Sequence, residues 1–229
     1  MKKIAILQSN YIPWKGYFDL INMVDEFILY DDVQYTKRDW RNRNIIQTKQ
    51  GPQWLTIPVR QTSMSQLIKD TKILNRRWAK KHWGTIQQNY SKAKHFKEYK
   101  EVFEALYLNC DEEYLSQINY KFITTINTIL GITTPIRWSS EFDFIEGQTE
   151  RLIGICQACD TDIYVSGPAA KDYFDSELAT KNNITVEWMN YSEYPEYTQL
   201  SEPFEHGVTI LDLIFNEGAN ASKYMKSFT

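Results

Sequence analysis

The sequence predicts an α/β protein: a mainly parallel sheet flanked by helices, with a three-helix segment around residues 76–131. Three observations carry this. Two apolar runs, Lys3–Gln8 and Glu26–Tyr30, are separated by a turn-rich loop and a short helical pattern, and the crossover of such a β-loop-α-β order favours a parallel pair. Strand-like runs alternate with helical patterns again between Pro135 and Trp188. Between these two stretches the apolar period lengthens to that of amphipathic helices. The 229 residues then read as a single α/β domain with a helical insert at about 76–131.

Taken in order, Lys3–Gln8 is the first buried strand. The loop Ser9–Gly16 has turn residues at Asn10, Pro13 and Gly16 and leads into a short helix whose apolar side is Tyr17, Phe18, Leu20, Ile21 and Val24. Ile45–Gln47 and Gln53–Val59 read as strands joined by a turn at Gln50-Gly51-Pro52, with Pro58 marking an edge or a strand end. Arg60–Ser65 reads as a mobile loop, and Leu67–Leu74 has room for one more short strand. Ala79, Trp83, Ile86 and Tyr90 share one helical face, and Phe96, Tyr99, Val102, Phe103, Leu106 and Tyr107 share a second. Leu115, Ile118, Phe122, Ile126 and Ile129 share a third, with Asp111 as its expected cap and Gly131 as its stop. A strand over Pro135–Ser139, a helix over Thr149–Cys159, a strand over Ile163–Ser166, a helix from Tyr173 to Thr180 and a strand over Thr185–Trp188 follow. Tyr191–Phe204 is irregular and rich in Tyr and Pro; Val208–Phe215 is a helix stopped by Asn216 and Gly218. The last ten residues read as loosely held.

Apolar residues make up 42% of the chain, enough for a core, and 15 Tyr, 11 Phe and 7 Trp suit both packing and pockets. Near the N-terminus two lysines precede only four consecutive apolar residues, too short a run for a signal peptide, and no later run approaches a membrane span. Cys156 and Cys159 form a CxxC inside an apolar helical pattern with no second Cys/His pair at zinc spacing. With Cys110 they read as buried thiols in a reducing, cytoplasmic compartment. The net charge of −3 hides an asymmetry: residues 1–100 carry 19 Lys/Arg against 8 Asp/Glu, and the remainder 7 against 21. The N-terminal part therefore suits an anionic ligand. Acids are mixed into the densest cationic cluster and the whole chain is acidic, so a phosphate-bearing small molecule is expected rather than nucleic acid.

The candidate site centres on Tyr30–Thr48, which follows the second strand. Polar side chains converging at the end of a strand are how α/β proteins build sites. Asp31 and Asp32 are candidate catalytic bases or ligands of a divalent cation such as Mg²⁺, against the plainer reading that one caps a turn or pairs with Lys37 or Arg38. Gln34, Tyr35, Lys37 and Asn44 add substrate-binding donors. Arg41 and Arg43 share strand parity, which suits bidentate phosphate or carboxylate binding; the plainer reading is exposed edge arginines. Gln8, Asn10, Tyr11 and Trp14 lie in the first βα loop, at a helix N-terminus suited to an anion, although Tyr11 and Trp14 can equally cap the core. His82 is a third catalytic candidate, against a structural histidine on a basic helix. Ser166, Gly167 and Lys171 belong to a second strand-to-helix loop suited to lining the same crevice, with Lys171 able to meet a phosphate, against the plainer reading that Gly167-Pro168 is only a helix start. Neither dinucleotide nor P-loop fingerprint is present, and no HExxH or Ser/His/Asp spacing occurs.

These residues resemble those of the WbqC-like family. The resemblance is carried by Gln8-x-Asn10-Tyr11-x-Pro13-Trp14-x-Gly16-Tyr17-Phe18, by Asp31-Asp32-Val33-Gln34-Tyr35-x-Lys37 and by Arg41-Asn42-Arg43-Asn44-x-Ile46. Trp54-Leu55-Thr56-x-Pro58-Val59, His82-Trp83, Thr149-Glu150-Arg151-Leu152, Ser166-Gly167-Pro168, Lys171-Asp172-Tyr173 and Ile210–Asn216 continue it, nearly end to end and in order. Ser9 departs from the family's usual Pro, and Ala169-Ala170 from its common glycines. The resemblance implies a bacterial biosynthetic setting, since such proteins are often encoded in O-antigen and other cell-surface polysaccharide clusters. It implies no particular reaction.

Two functions remain open at this point. One is a cytoplasmic transferase of surface-glycan assembly, acting on a nucleotide-linked sugar or related phosphorylated small molecule. The other is a non-catalytic sugar-nucleotide-binding or scaffold protein of the same pathway. The cofactor and oligomeric state are not legible in the sequence.

Overall fold

The computed structural model describes residues 1–228. The chain runs β1 (Lys3–Leu7), α1 (Lys15–Asn22), β2 (Glu26–Leu29), β3 (Arg43–Ile46), β4 (Gln53–Thr56) and two-residue β5 (Val59–Arg60) and β6 (Lys72–Ile73). Three amphipathic helices follow, α2 (Arg77–Tyr90), α3 (Phe96–Leu108) and α4 (Leu115–Leu130). Then come β7 (Ile136–Trp138), α5 (Gln148–Ala158), β8 (Ile163–Ser166), α6 (Ser176–Lys181), β9 (Thr185–Trp188) and α7 (Ile210–Glu217).

Five of these strands make one wholly parallel sheet in the order β7-β2-β1-β8-β9. Strand alternation splits its side chains between two faces. Ile4, Ile6 and Ile28 meet Leu152, Ile153 and Cys156 of α5 on one face. Ala5, Phe27, Leu29 and Val165 meet α1, α7 and the three central helices on the other. The fold is therefore α/β with a parallel sheet, as the alternating pattern predicts. Burial of Cys110, Cys156 and Cys159 as free thiols also matches the sequence reading. Among the described residues no helix is long and apolar enough to cross a membrane.

The segments at 43–46 and 53–56 pair antiparallel across the expected turn and form a hairpin outside the parallel sheet. Three local expectations need correction. Asp111 does not cap α4: the carboxylate receives Arg76, and α4 begins at Leu115 behind an uncapped Tyr114. Gly131 does stop α4, at φ 74°. Tyr173 lies before α6, whose cap is Asp175, accepting from the Leu178 N–H at 2.9 Å. Residues 220–228 are not loose. Ala221 and Met225 are buried, and the N–H groups of Lys226 and Ser227 donate to Asp19 at 3.0 and 2.9 Å. Asp19 is fully buried on α1, so it requires such donors, and the C-terminal segment supplies them.

Candidate functional site

The strand order reverses between β1 and β8, so the crevice outside their carboxyl ends is the natural ligand position in this sheet. Two loops border it, Gln8–Trp14 after β1 and the Ser166-Gly167-Pro168 turn after β8. The first is heavily constrained. Ser9 is buried, and its N–H and hydroxyl both donate to Asp31, at 2.8 and 2.7 Å. The Asn119 amide donates to the Ser9 oxygen at 3.0 Å and to the Arg41 carbonyl at 2.9 Å. Ile12 sits at φ 37°, a strained position for a β-branched residue. The buried Asn44 amide holds that turn by donating to the Tyr11 and Ile12 carbonyls at 3.0 and 2.9 Å. A Cβ at position 16 would stand 2.4 Å from the Trp14 ring, so Gly16 is what lets this indole fold back over α1.

Beside this loop lies a cavity of about 410 Å³, walled by Asn10, Trp14, Trp40, Tyr191, His206 and Gly207. Trp14 meets Tyr191 edge-on with ring centroids 5.3 Å apart. Asn10 presents its carbonyl oxygen to the Arg41 guanidinium at 2.5 Å, and Arg41 also faces Asp39 at 3.6 Å. Flat aromatic walls with two amides, and a guanidinium held behind one of them, are the composition of a site for a sugar or nucleobase ring.

The two acids have different surroundings. Asp31 is almost wholly buried and both of its oxygens are engaged by Ser9. Burial pushes its carboxyl up from the ordinary range, opposed by the nearby Ser116 hydroxyl and by the two hydrogen bonds from Ser9. Asp32 turns to the α5 side, accepts from the Ser139 hydroxyl at 2.6 Å, contacts the Lys69 ammonium and lies 4.0 Å from Arg151. Arg151 also donates to the Asp32 carbonyl at 3.1 Å and is stacked between the Tyr30 and Phe144 rings. By strand parity Gln8, Tyr30 and Ser166 share this side. A Mg²⁺ ion does not fit these acids. Both Asp31 oxygens already accept from Ser9, and Asp32 already faces two cations, so neither presents a free carboxylate to it.

Several predicted site residues lie elsewhere. Tyr11 is fully buried; its hydroxyl bonds His82 Nδ1 at 2.9 Å and the Tyr107 hydroxyl at 2.8 Å. His82 Nε2–H donates to the Thr56 carbonyl at 3.1 Å, and burial pushes the imidazole down to about 4. The ring is thus neutral, with Nδ1 as acceptor of the Tyr11 proton. Arg41 and Arg43 do not form a pair: Arg43 stacks 4.0 Å over Trp54 and donates to the Arg38 carbonyl. The parity argument fails because Arg41 precedes β3 and is not on the strand. Gln34 is exposed and donates to Met64; Tyr35 is buried under the Gln66 carbonyl; Lys37 is exposed. Ser166 is buried beside Tyr164, Gly167 approaches Tyr191, and Lys171 reaches over the Trp188 ring. The sequence reading did not single out Tyr191, His206, Lys69 or Arg151. The signals were the Tyr/Pro-rich stretch after β9 and the Thr149–Leu152 motif.

The family profile described as "WbqC-like protein family" matches residues 8–224. The uncharacterized protein Rv1507c of Mycobacterium tuberculosis is 48% identical over 227 residues, covering 99% of this chain and 98% of that protein. No solved structure matches the chain. The profile spans both crevice loops, the hairpin, the central helices and the Tyr/Pro-rich stretch that closes the cavity, so the chain belongs to the WbqC-like protein family.

Proposed function

We propose that the protein is a group-transfer enzyme of cell-surface glycan assembly that takes a nucleotide-linked sugar, or a related phosphorylated small molecule, at the carboxyl end of the sheet. The observation that carries this reading is the aromatic cavity of about 410 Å³ beside the β1 loop, at the point where the strand order reverses. A ring lies between Trp14, Trp40 and Tyr191, with Asn10 and Arg41 reading its edge. The charged end runs over Gln8 and Ser166 toward Arg151 and Lys69. Of the two acids, Asp31 holds the loop and Asp32 acts as the base, because Asp32 alone faces the crevice cations and remains beside them when a ligand arrives.

The test is a thermal-shift titration with uridine and guanosine diphosphate sugars, with and without Mg²⁺. A ligand at 100 times its dissociation constant adds about 2.7 kcal/mol of stability. We expect stabilisation independent of Mg²⁺ and lost in Trp14→Ala. Asp32→Asn should abolish turnover of the ligand so found while the fold persists; Asp31→Asn should chiefly lower stability. No stabilisation by any sugar nucleotide, or equal stabilisation of Trp14→Ala, would refute the reading.

A further inference from the structure

A second cleft of about 460 Å³ lies between β4 and the first turns of α2. Gln53 and Trp54 form one wall, and Arg77, Lys81 and Thr85 the other. Arg77 and Lys81 are four residues apart on α2, so their side chains lie on one face and repel each other. Both are exposed and neither has an acidic partner among the described residues, whereas nearby Arg76 pairs with Asp111. Trp78 also lines the cleft; it is 3% exposed, and its buried indole N–H has no hydrogen-bond partner among the described residues. Like charges at this spacing repel, and an anion between them relieves the repulsion. The N-terminal end of α2 adds the positive end of a 14-residue helix.

Trp54 connects this cleft to the aromatic cavity. It is 41% exposed, carries the Arg43 guanidinium 4.0 Å over its ring, and meets Trp40 with ring centroids 5.3 Å apart. Trp40 in turn walls the cavity. The two hollows thus share a ridge of two indoles in contact, tilted 38° to each other, one side aromatic and amide-lined, the other cationic.

We propose that the cleft between β4 and α2 is a phosphate-binding subsite, formed by Arg77 and Lys81, that takes the phosphate or diphosphate of a phosphorylated small molecule. It rests on the proposed function only for the class of ligand. The phosphate belongs either to a second substrate brought alongside the one in the cavity or, where the charged end of the cavity ligand crosses the ridge instead of running toward Arg151 and Lys69, to that molecule itself.

Isothermal titration with sodium pyrophosphate tests this, against chloride at matched ionic strength, on the full-length protein and on Arg77→Gln, Lys81→Gln and the double variant. The substituted side chains are exposed, so the variants should fold, with melting temperatures unchanged or slightly raised as the repulsion is removed. Pyrophosphate should bind, and each single variant should weaken it by about tenfold, the loss of one charge-assisted hydrogen bond. Equal pyrophosphate binding by the double variant and the wild type, or none by either, overturns the subsite. A diphosphate sugar in the same titration separates the two sources. If Trp14→Ala and the double variant both weaken it, one ligand spans the ridge. If only Trp14→Ala does, while pyrophosphate still requires Arg77 and Lys81, the subsite serves a second molecule. Failure of the sugar nucleotide alone refutes the proposed function and leaves the subsite standing.

Discussion

His82 shows how burial decides between a catalytic and a structural histidine. Its helical position and basic neighbours are visible in the sequence; its contacts with Tyr11 and the Thr56 carbonyl are not, because they join segments 71 and 26 residues away. The same burial has a thermodynamic sign. An unfolded histidine takes up its proton near pH 6.5, whereas this one holds off until about 4. A folded-state value below the unfolded one gives stability that is complete above pH 6.5 and is lost as pH falls toward 4. The loss amounts to roughly 3 kcal/mol across that window. Urea unfolding at pH 7, 6, 5 and 4.5 should show it, and His82→Gln, which keeps a donor and an acceptor, should flatten the slope over the same range. A variant with the wild-type slope would assign the acid sensitivity to other groups. Asp31 and Asp32 carry the same lesson: adjacent in sequence, they separate by strand parity into a loop clamp and a partner of Lys69 and Arg151.

At the scale of elements, the strands and helices with clear periods were legible, and so was the convergence of polar residues after β2. The buttressing between elements was not. Asn44 reads as one of several donors in a polar run, yet it lies on β3 facing the first loop and holds two carbonyls of its strained turn. Asn44→Ala should leave both without a partner in a buried setting and cost about 2–3 kcal/mol. Denaturant titration should register that loss, and ligand affinity at the cavity should fall with it. A change below about 0.5 kcal/mol, the size of a neutral surface substitution, would show that Ile12 needs no such support. The Tyr/Pro-rich stretch after β9 was illegible for a related reason. Its contacts are made by isolated polar groups, with Tyr194 donating to Asp19 at 2.6 Å and Tyr197 to Asp212 at 2.8 Å, and such pairs have no period to read. Lys15 belongs to the same cluster: it donates to the Pro195 carbonyl at 3.0 Å, and burial pulls its ammonium down to about 8. Tyr191 enters the cavity wall because this segment is tied to α1.

Across the whole molecule, the charge asymmetry of the chain is partly cancelled by folding, since Lys3 meets Glu187, Lys72 meets Glu113 and Arg76 meets Asp111. The cations that remain without acids near β4 and α2 are the residue of that cancellation. The sheet order has a consequence of another kind. β1 pairs with β8 from Lys3 opposite Ile163, a separation of 160 residues. During synthesis the far edge of β1 therefore stays open, with its N–H and C=O groups unpaired, until almost three-quarters of the chain has emerged. Closing so long a loop is slow compared with forming local helical contacts. In pulsed hydrogen-exchange refolding, amides of α2, α3 and α4 should gain protection first, and those of β1 and β8 together and later; simultaneous protection throughout would contradict this order. The strand that ends in the ligand loop is then among the last to be enclosed, so a ribosome-bound or truncated chain lacking β8 displays a sticky strand edge in place of a binding site.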